Sequence, residues 1–261
     1  MNLIKRLFIA AVFIPILLFL FWSGGIALAS ALALIAIVQL YELKDMFKNK
    51  GISIPKIILV LGLLVFFSSA LFGSSFIVMS LTLSVILLLG IDLISGKTEG
   101  ASERIGTSVF ALVYSPVFLS SVYKISEMEA GNILAVSLLI LLWITDSFAY
   151  FTGMLLGKHR NVFKASPNKS VEGFIGGIFF TFAMAYALSW YFKMPVSTMF
   201  IVAFAASVFG QVGDLFESVL KRDCGVKDSS NIIPGHGGIL DRFDSLMISA
   251  PVLYILLQFF G

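Results

Sequence analysis

The sequence predicts an all-α, polytopic integral membrane protein with about nine transmembrane helices. Of its 261 residues, 59% are hydrophobic and only 13% are charged, and the mean hydropathy is +1.00. Soluble domains carry roughly a quarter charged residues, so this composition excludes an ordinary soluble protein. Apolar runs of about 20 residues, the length that crosses a bilayer as a helix, recur from end to end.

Nine candidate spans divide the chain in order. They lie near 7–24, 25–42, 56–73, 75–96, 106–123, 132–154, 172–192, 195–217 and 241–260. The first span, behind Lys5 and Arg6, also resembles a secretory signal peptide with a cleavage site at Ala29. Because apolar sequence continues to about Leu40, we predict an uncleaved first helix.

The placement of positive charge predicts the orientation. With nine spans and an inside N-terminus, 16 of the 18 Lys and Arg residues fall in inside loops. Only Lys124 and Lys193 fall outside. Positive charge accumulates on the cytoplasmic side of membrane proteins, so we predict the N-terminus inside and the C-terminus outside. The net charge of +3 then reflects topology and contact with membrane lipids, and no nucleic-acid partner is expected.

The chain changes character near residue 130. Residues 1–130 form a predicted scaffold of about five spans with few polar residues inside the membrane. Residues 131–261 form a predicted catalytic region of about four spans, with polar cytoplasmic loops at 155–171 and 221–240. The single cysteine, Cys224, leaves no intramolecular disulfide to form, and we interpret it as a reduced, unpaired thiol.

Acidic residues enter the membrane spans of the second half. Asp146 lies late in span six, Asp214 and Glu217 lie near the end of span eight, and Asp241 and Asp244 open span nine. A charged group inside a bilayer is costly, so an intramembrane acid indicates function by default. All five lie at predicted cytoplasmic ends of spans, where they can share one depth.

Helical spacing places several of these acids on common faces. Asp214, Glu217, Ser218 and Lys221 stand at i, i+3, i+4 and i+7, which is one stripe of a helix. Residues 241–245 repeat the local pattern D-x-F-acid-S on the next span. Two such stripes facing each other would bring together hard oxygen ligands of the kind that suits Mg²⁺. The density of acids leaves room for a second cation.

Two alternatives remain open from the residues alone. The acids could pair with Lys221, Arg222 and Arg242 and merely cap helices, and Asp244 in a first helical turn could serve the helix dipole. A cation-coupled membrane transporter would also place acids in membrane helices. Such a transporter should place them nearer the bilayer midplane and without a phosphate-binding loop.

Both polar loops of the second half contain residues suited to phosphate. Glycines followed by a helix N-terminus present backbone N–H groups to an anion. Positively charged and hydroxyl side chains nearby would add further donors. In loop 221–240 and at its borders these candidates are Gly235, Gly237, Gly238, His236, Lys221, Arg222 and Lys227; in loop 155–171 they are Ser166, Lys169 and Ser170.

The loop and its flanks resemble a family signature. Residues 218–245, "SVLKRDCGVKDSSNIIPGHGGILDRFDS", fit without a gap the pattern S-x-x-K-R, K-D, P-x-H-G-G-x-x-D-R-x-D of the phosphatidate cytidylyltransferase (CDP-diacylglycerol synthase) family. Upstream, "SPNKSVEGFIGG" at 166–177 is similar to the family's S-P-K-K-T-x-E-G-x-x-G-G, with Asn168 for a lysine and Ser170 for a threonine. The segment "DSFAYFTG" at 146–153 also resembles the family, whereas the first five spans agree only in being membrane helices.

The resemblance implies an activity: phosphatidic acid and CTP give CDP-diacylglycerol and pyrophosphate, with Mg²⁺ required. It implies catalysis on the cytoplasmic side of a membrane, expected to be the inner membrane of a prokaryote, and a possible homodimer. A CDP-alcohol phosphatidyltransferase is disfavoured because its D-x-x-D-G-x-x-A-R signature is absent.

The resemblance also suggests roles for individual residues. The metal-binding acids fall on Asp214 and Asp241, with Asp146, Glu217 and Asp244 as second choices. The expected catalytic set is Asp214, Asp241, Lys221, Arg222 and His236. The expected phosphate and substrate ligands are Ser166, Lys169, Ser170, Ser218, Lys227, Asp228, Gly235, Gly237, Gly238 and Arg242.

Overall fold

Helices build the fold throughout the part of the chain that the structure describes. The computed structural model describes residues 3–96, 98–233 and 237–260, with side chains described from residue 11 onward except at position 74. Within these ranges there is no β-strand, and two isolated β-bridges each close one polar loop, Arg160 to Ser170 and Ile233 to Gly237. The predicted all-α fold class is confirmed.

Nine continuous helices run through the described residues. In chain order they are α1 (Leu3–Ser23), α2 (Gly25–Asn49), α3 (Ile58–Leu71), α4 (Ser74–Ser95), α5 (Ala101–Ser126), α6 (Gly131–Leu156), α7 (Val171–Phe192), α8 (Val196–Asp223) and α9 (Leu240–Phe260). Several extend beyond the predicted spans, because hydropathy marks only the apolar part of a helix. In particular, α8 continues past residue 217, so Lys221 and Arg222 occupy its last turn rather than the loop.

Seven of these helices, among the described residues, are long and apolar enough to cross a membrane: α2 and α4 to α9. The helix α3 has only 14 residues, and α1 contributes the shorter apolar stretch Ala11–Ser23. A polytopic membrane protein is therefore confirmed. The total of nine spans and the orientation of the chain stay predictions.

The centre of the bundle is formed by α2, α6 and the second half of α5. Leu28, Leu32 and Leu43 of α2 are fully buried, as are Leu138 and Leu141 of α6. The helices α4 and α7 instead keep most of their apolar surface exposed. Exposed apolar side chains on membrane-length helices fit contact with lipid, since the bilayer interior is itself apolar.

Small residues allow α6 and α7 to form the most extensive helix pair in the fold. A Cβ atom at Gly173 would lie 2.7 Å from the carbonyl oxygen of Ala149, and one at Gly177 would lie 3.1 Å from the Ala149 Cβ. Close backbone approach of this kind is how membrane helices gain packing energy without a hydrophobic driving force. The glycines that the resemblance marks at 173, 176 and 177 therefore have a structural role.

Two helices contain a wider π-helical turn. Residues Val113–Val117 of α5 include Pro116, which has no N–H to donate. In the same turn, Ser115 Oγ donates a hydrogen bond of 2.9 Å to Gln39 Oε1 on α2. Residues Ala205–Phe209 of α8 directly precede the turn that carries Asp214. Such π turns frequently occur at functional sites.

The contact between α8 and α9 depends on Gly213. A Cβ atom there would lie 2.6 Å from the Asp244 carbonyl oxygen and 3.2 Å from the Ser245 Cα. We predict that Gly213→Ala pushes the two helices apart and destabilises the protein by about 1–3 kcal/mol, as overpacking typically does. Thermal unfolding in detergent would measure this as a lower Tm.

The matched control for Gly213→Ala is Gly90→Ala on α4, where a Cβ atom meets nothing within 4 Å. Because alanine favours a helix over glycine, the control should not lower the Tm. An unchanged Tm for Gly213→Ala would show that the two helices can separate at no cost.

Candidate active site

The two acidic stripes predicted from the sequence come together where α8 ends and α9 begins. Lys221 of α8 donates a hydrogen bond of 2.6 Å from Nζ to Asp241 Oδ1 of α9. The same ammonium lies 3.2 Å from Glu217 Oε1, one helical turn earlier on α8. One positive charge therefore bridges two carboxylates on different helices. This is the pairing that the helix-capping alternative expects for these acids.

Asp241 is held by a nearly complete set of donors. Its Oδ2 accepts hydrogen bonds from the Ser229 amide (2.9 Å), the Ser229 hydroxyl (2.9 Å) and the Gly238 amide (2.8 Å). The Lys221 ammonium occupies the other oxygen. Gly237 adopts a φ of +81°. A Cβ atom at this position would lie only 2.6 Å from Asp241 Oδ2. Glycine is required there because other residues rarely adopt that conformation.

Glu217 is a fully buried carboxylate. Although Lys221 lies 3.2 Å from Oε1, neither oxygen makes a well-formed hydrogen bond within the described residues. A buried carboxylate is costly unless it is paired and hydrogen-bonded, so Glu217 depends on its ion pair with Lys221 and keeps oxygen lone pairs for a further cation.

A second group of acids surrounds Asp214. Lys169 Nζ donates to Asp214 Oδ2 at 2.5 Å, which ties the loop before α7 to α8. Ser218 Oγ lies 3.5 Å from Asp214 Oδ1, at the limit of a hydrogen bond. Asp146 on α6 lines the same cavity as Asp214, and Asp244 on α9 packs against Gly213, the residue before Asp214. Three helices thus contribute carboxylates to one region.

A cleft of about 630 Å³ opens beside Asp214. Its volume lies within the range of roughly 300–1,000 Å³ usual for ligand pockets. It combines acids, a positively charged loop and apolar side chains of α6 and α7. The lining residues are Asp146, Ala149, Tyr150, Gly153, Met154, Arg160, Phe163, Asn168, Lys169, Ser170, Gly173, Phe174, Gln211 and Asp214.

The loop from 157 to 170 is fixed against both helices that it joins. The Ser170 hydroxyl caps α7 by accepting from the Gly173 amide at 3.1 Å. Arg160 reaches back to the Gly153 carbonyl oxygen at 2.8 Å. These bonds hold Lys169 and Ser170 at the cleft. Ser166 lies in the same loop but does not line the cleft.

A second fully buried carboxylate is one that the sequence-based prediction missed: Glu42, near the end of α2. This side chain is fully buried. Its Oε1 accepts from Ser230 Oγ (2.6 Å) and the Ile239 amide (2.8 Å), and its Oε2 accepts from the Leu240 amide (2.7 Å) and Ser229 Oγ (3.3 Å). A carboxylate of the N-terminal half therefore holds the loop that carries the signature.

Glu42 explains why residue 238 is glycine. A Cβ atom at Gly238 would collide with both Glu42 Oε1 and Ser229 Oγ. The sequence contains one usable signal for Glu42. It stands three residues after Gln39 and four before Met46, which places it on the buried face of α2.

Other predicted residues lie around this centre rather than in it. Arg222 is exposed and donates to the Val226 carbonyl oxygen at 3.3 Å. Lys227 and Asp228 are exposed in the loop, and Arg242 is exposed at the start of α9. Gly235 and His236 lie outside the described residues, so their predicted roles stay predictions.

Cys224 follows the end of α8 and is buried. Burial raises the pKa of its thiol above the ordinary value. A thiol with a raised pKa stays protonated and is a poor nucleophile. This environment agrees with the interpretation of Cys224 as a reduced, unpaired thiol.

We predict that Glu42→Gln loosens the signature loop. Glutamine cannot accept all four hydrogen bonds, since its NH₂ group is a donor, and each bond to the carboxylate is worth about 1.5–3 kcal/mol. Hydrogen exchange of the Ile239 and Leu240 amides should accelerate. The control Glu103→Gln alters an exposed glutamate and should leave these amides protected. Equal protection in both variants would refute the role of Glu42.

Comparison with known proteins gives a match over nearly the entire chain. A family model described as "Cytidylyltransferase family" covers residues 4–260. The phosphatidate cytidylyltransferases of Staphylococcus aureus (strain COL), Staphylococcus saprophyticus and Bacillus subtilis (strain 168) are 36%, 37% and 35% identical to this chain, each over 94% of both proteins. The resemblance seen in the signature segments is thereby confirmed, and the chain belongs to the cytidylyltransferase family.

Proposed function

We propose that this protein transfers the cytidylyl group of CTP to phosphatidic acid, giving CDP-diacylglycerol and pyrophosphate. The observation that carries this proposal is the convergence of three separate signature segments, 146–153, 166–177 and 218–245, on one group of acids and lysines. The curated relatives are named for this reaction. The comparisons give no support to the cation-coupled transporter.

The proposed reaction depends on positioning the two substrates and stabilising phosphate charge, and it needs no covalent enzyme intermediate. A phosphate oxygen of the lipid attacks the α-phosphorus of CTP, and pyrophosphate departs in line with that attack. The lipid phosphate is largely ionised near pH 7, so the attacking oxygen needs little help from a base. In the structure Lys169 pairs with Asp214 and Lys221 pairs with Asp241. We propose that both ammonium groups neutralise phosphate oxygens when the substrates bind, and that the loop bonds to Asp241 and Glu42 keep the site rigid.

The acids fit a divalent cation by their chemistry, and we propose Mg²⁺ with a possible second cation. Among the described residues, no three His, Cys, Asp or Glu side chains are already arranged as a metal site. However, the donors are hard carboxylate oxygens, and Glu217 is buried without a hydrogen bond. Asp214 and Asp241 would hold Mg²⁺, with Asp146, Glu217 and Asp244 nearby. Bound Mg²⁺ would supply Lewis-acid stabilisation of phosphate charge.

The location of the site suits a lipid substrate. Asp241 opens α9, whereas Asp214 and Asp146 lie nine and ten residues before the ends of α8 and α6. We propose that the lipid phosphate reaches these acids while the acyl chains stay in the bilayer. We propose that this end faces the cytoplasm of a prokaryotic cell, on the basis of the positive charge placed in the predicted inside loops. A homodimer and the absence of a nucleic-acid partner are also proposed.

We predict that the purified protein converts CTP and phosphatidic acid into CDP-diacylglycerol and pyrophosphate in equal amounts. A chelator should abolish the reaction, and added Mg²⁺ should restore it. Labelled CTP, followed into the lipid phase together with pyrophosphate release, measures both products. A folded protein that makes neither product under several lipid and cation conditions would disprove the proposed function.

We predict that Asp214→Asn and Asp241→Asn each lower kcat/KM about a hundredfold or more. The reason is that mutating even a residue that only orients a metal ligand typically lowers activity about 10–100-fold. The control is Asp45→Asn, since Asp45 pairs with Lys44 on the surface of α2 and surface pairs contribute little. All variants should insert into membranes. Activity close to wild type in either site variant would remove that residue from the metal assignment.

We predict that a reporter fused after the C-terminus is external. The reason is the asymmetry of Lys and Arg between the predicted loops. Paired fusions of an enzyme active only outside the cell and of a fluorescent protein active inside would measure the location. A cytoplasmic C-terminus would mean an even number of spans.

A further inference from the structure

A second cavity lies beside the acids and differs from the cleft in chemistry. It has a volume of about 420 Å³ and lies between α5, α8 and α9. We call it the apolar groove, because its lining exposes no polar surface. Its lining residues are Phe110, Val113, Tyr114, Phe118, Phe216, Ile248, Pro251, Val252 and Ile255.

The apolar groove follows two helices lengthwise. On α9 its residues stand at i, i+3, i+4 and i+7 from 248 to 255, and on α5 at i, i+3, i+4 and i+8 from 110 to 118. The stripe on α9 covers about 10 Å of helix. Both helices are irregular there, with a π-helical turn in α5 and Pro251 inside α9. Irregular turns interrupt close helix packing, which accounts for the space between them.

Tyr114 lines the apolar groove with its ring, while its hydroxyl lies buried behind the apolar lining. The side chain is only 1% exposed, and its hydroxyl has no hydrogen-bond partner within the described residues. The ring is held in place by Phe110 at 5.3 Å and Phe216 at 5.5 Å between centroids. A buried hydroxyl without a partner is unfavourable, and a ligand that offers an acceptor would satisfy it.

One end of the apolar groove adjoins the reacting centre. The Tyr114 ring packs against Phe216 of α8, two residues after Asp214, at 5.5 Å between centroids. Phe216, which lines the groove, directly precedes Glu217 in the chain. A molecule whose phosphate lay at these acids would therefore have its adjoining apolar part near the groove.

We propose that the apolar groove holds one acyl chain of the phosphatidic acid substrate, with the Tyr114 hydroxyl donating to the ester carbonyl oxygen at the head of that chain. A fatty acyl ester has the required form, since it is a long hydrocarbon with one acceptor next to its polar end. This inference rests on the proposed function, because it assigns part of the lipid substrate of that reaction.

The first test blocks the apolar groove. Val252→Trp should lower kcat/KM for dipalmitoyl phosphatidic acid by at least about tenfold, equivalent to losing about two buried methylene groups. The loss with water-soluble dihexanoyl phosphatidic acid should be much smaller, because short chains do not reach along the groove. The matched control is Val78→Trp, at a position on α4 that is 65% exposed and does not line the groove.

The second test removes only the hydroxyl of Tyr114. Tyr114→Phe should raise KM about fivefold for an ester-linked phosphatidic acid, the effect of one neutral hydrogen bond. The ether-linked analogue lacks the carbonyl oxygen, so the variant should change its KM much less. A merely structural role for the hydroxyl would shift KM equally for both lipids.

The outcomes separate the two proposals. A wild-type protein inactive on every phosphatidic acid would overturn the proposed function and this inference with it. An active wild type with equal losses on long and short chains in Val252→Trp would overturn the inference alone. Disruption of a dimer by Val252→Trp would also overturn it, because the groove would then belong to the contact with a second copy. If Val252→Trp does not fold, the ester-to-ether comparison in Tyr114→Phe decides.

Discussion

The buried carboxylate of Glu42 is the constraint on which the rest of the site depends. Four donors from the loop and the start of α9 converge on it. Two of them are the Ile239 and Leu240 amides at the start of α9. The first N–H groups of a helix have no partner within the helix and need another acceptor. The carboxylate of α2 therefore acts as the cap of α9 and fixes the loop next to Asp241. A residue of the N-terminal half, which the sequence predicts to be a scaffold, thus holds the loop of the candidate site.

Glycine at three positions makes this arrangement sterically possible. Gly213 lets α8 approach α9, Gly237 turns the chain beside Asp241, and Gly238 leaves room for Glu42. These close approaches place charged groups from separate helices within one hydrogen bond of each other. Lys221 shows the result, since its ammonium contacts carboxylates of both α8 and α9. Steric and electrostatic requirements thus act on the same short segment.

The sequence predicted the all-α class and the acids of α8 and α9, because hydropathy and helical spacing act locally. It did not predict Glu42, since an acid beside Lys44 at a helix end has the composition of a solvated cap. Its partners are 187 to 198 residues away in the chain, and only tertiary packing reveals them. Likewise, the spacing placed Lys221 on the acidic stripe but could not show that it reaches Asp241 on the next helix.

The Ser229 hydroxyl lies between a carboxylate of the N-terminal half, Glu42, and one of the C-terminal half, Asp241. It lies 2.9 Å from Asp241 Oδ2 and 3.3 Å from Glu42 Oε2, yet it has one proton to donate. At any moment, only one of the two carboxylates can receive that proton fully. A change in charge at Asp241 therefore alters the bond available to Glu42. The Ser229 hydroxyl therefore couples the charge state of Asp241 to the hydrogen bonds by which Glu42 of α2 holds the loop.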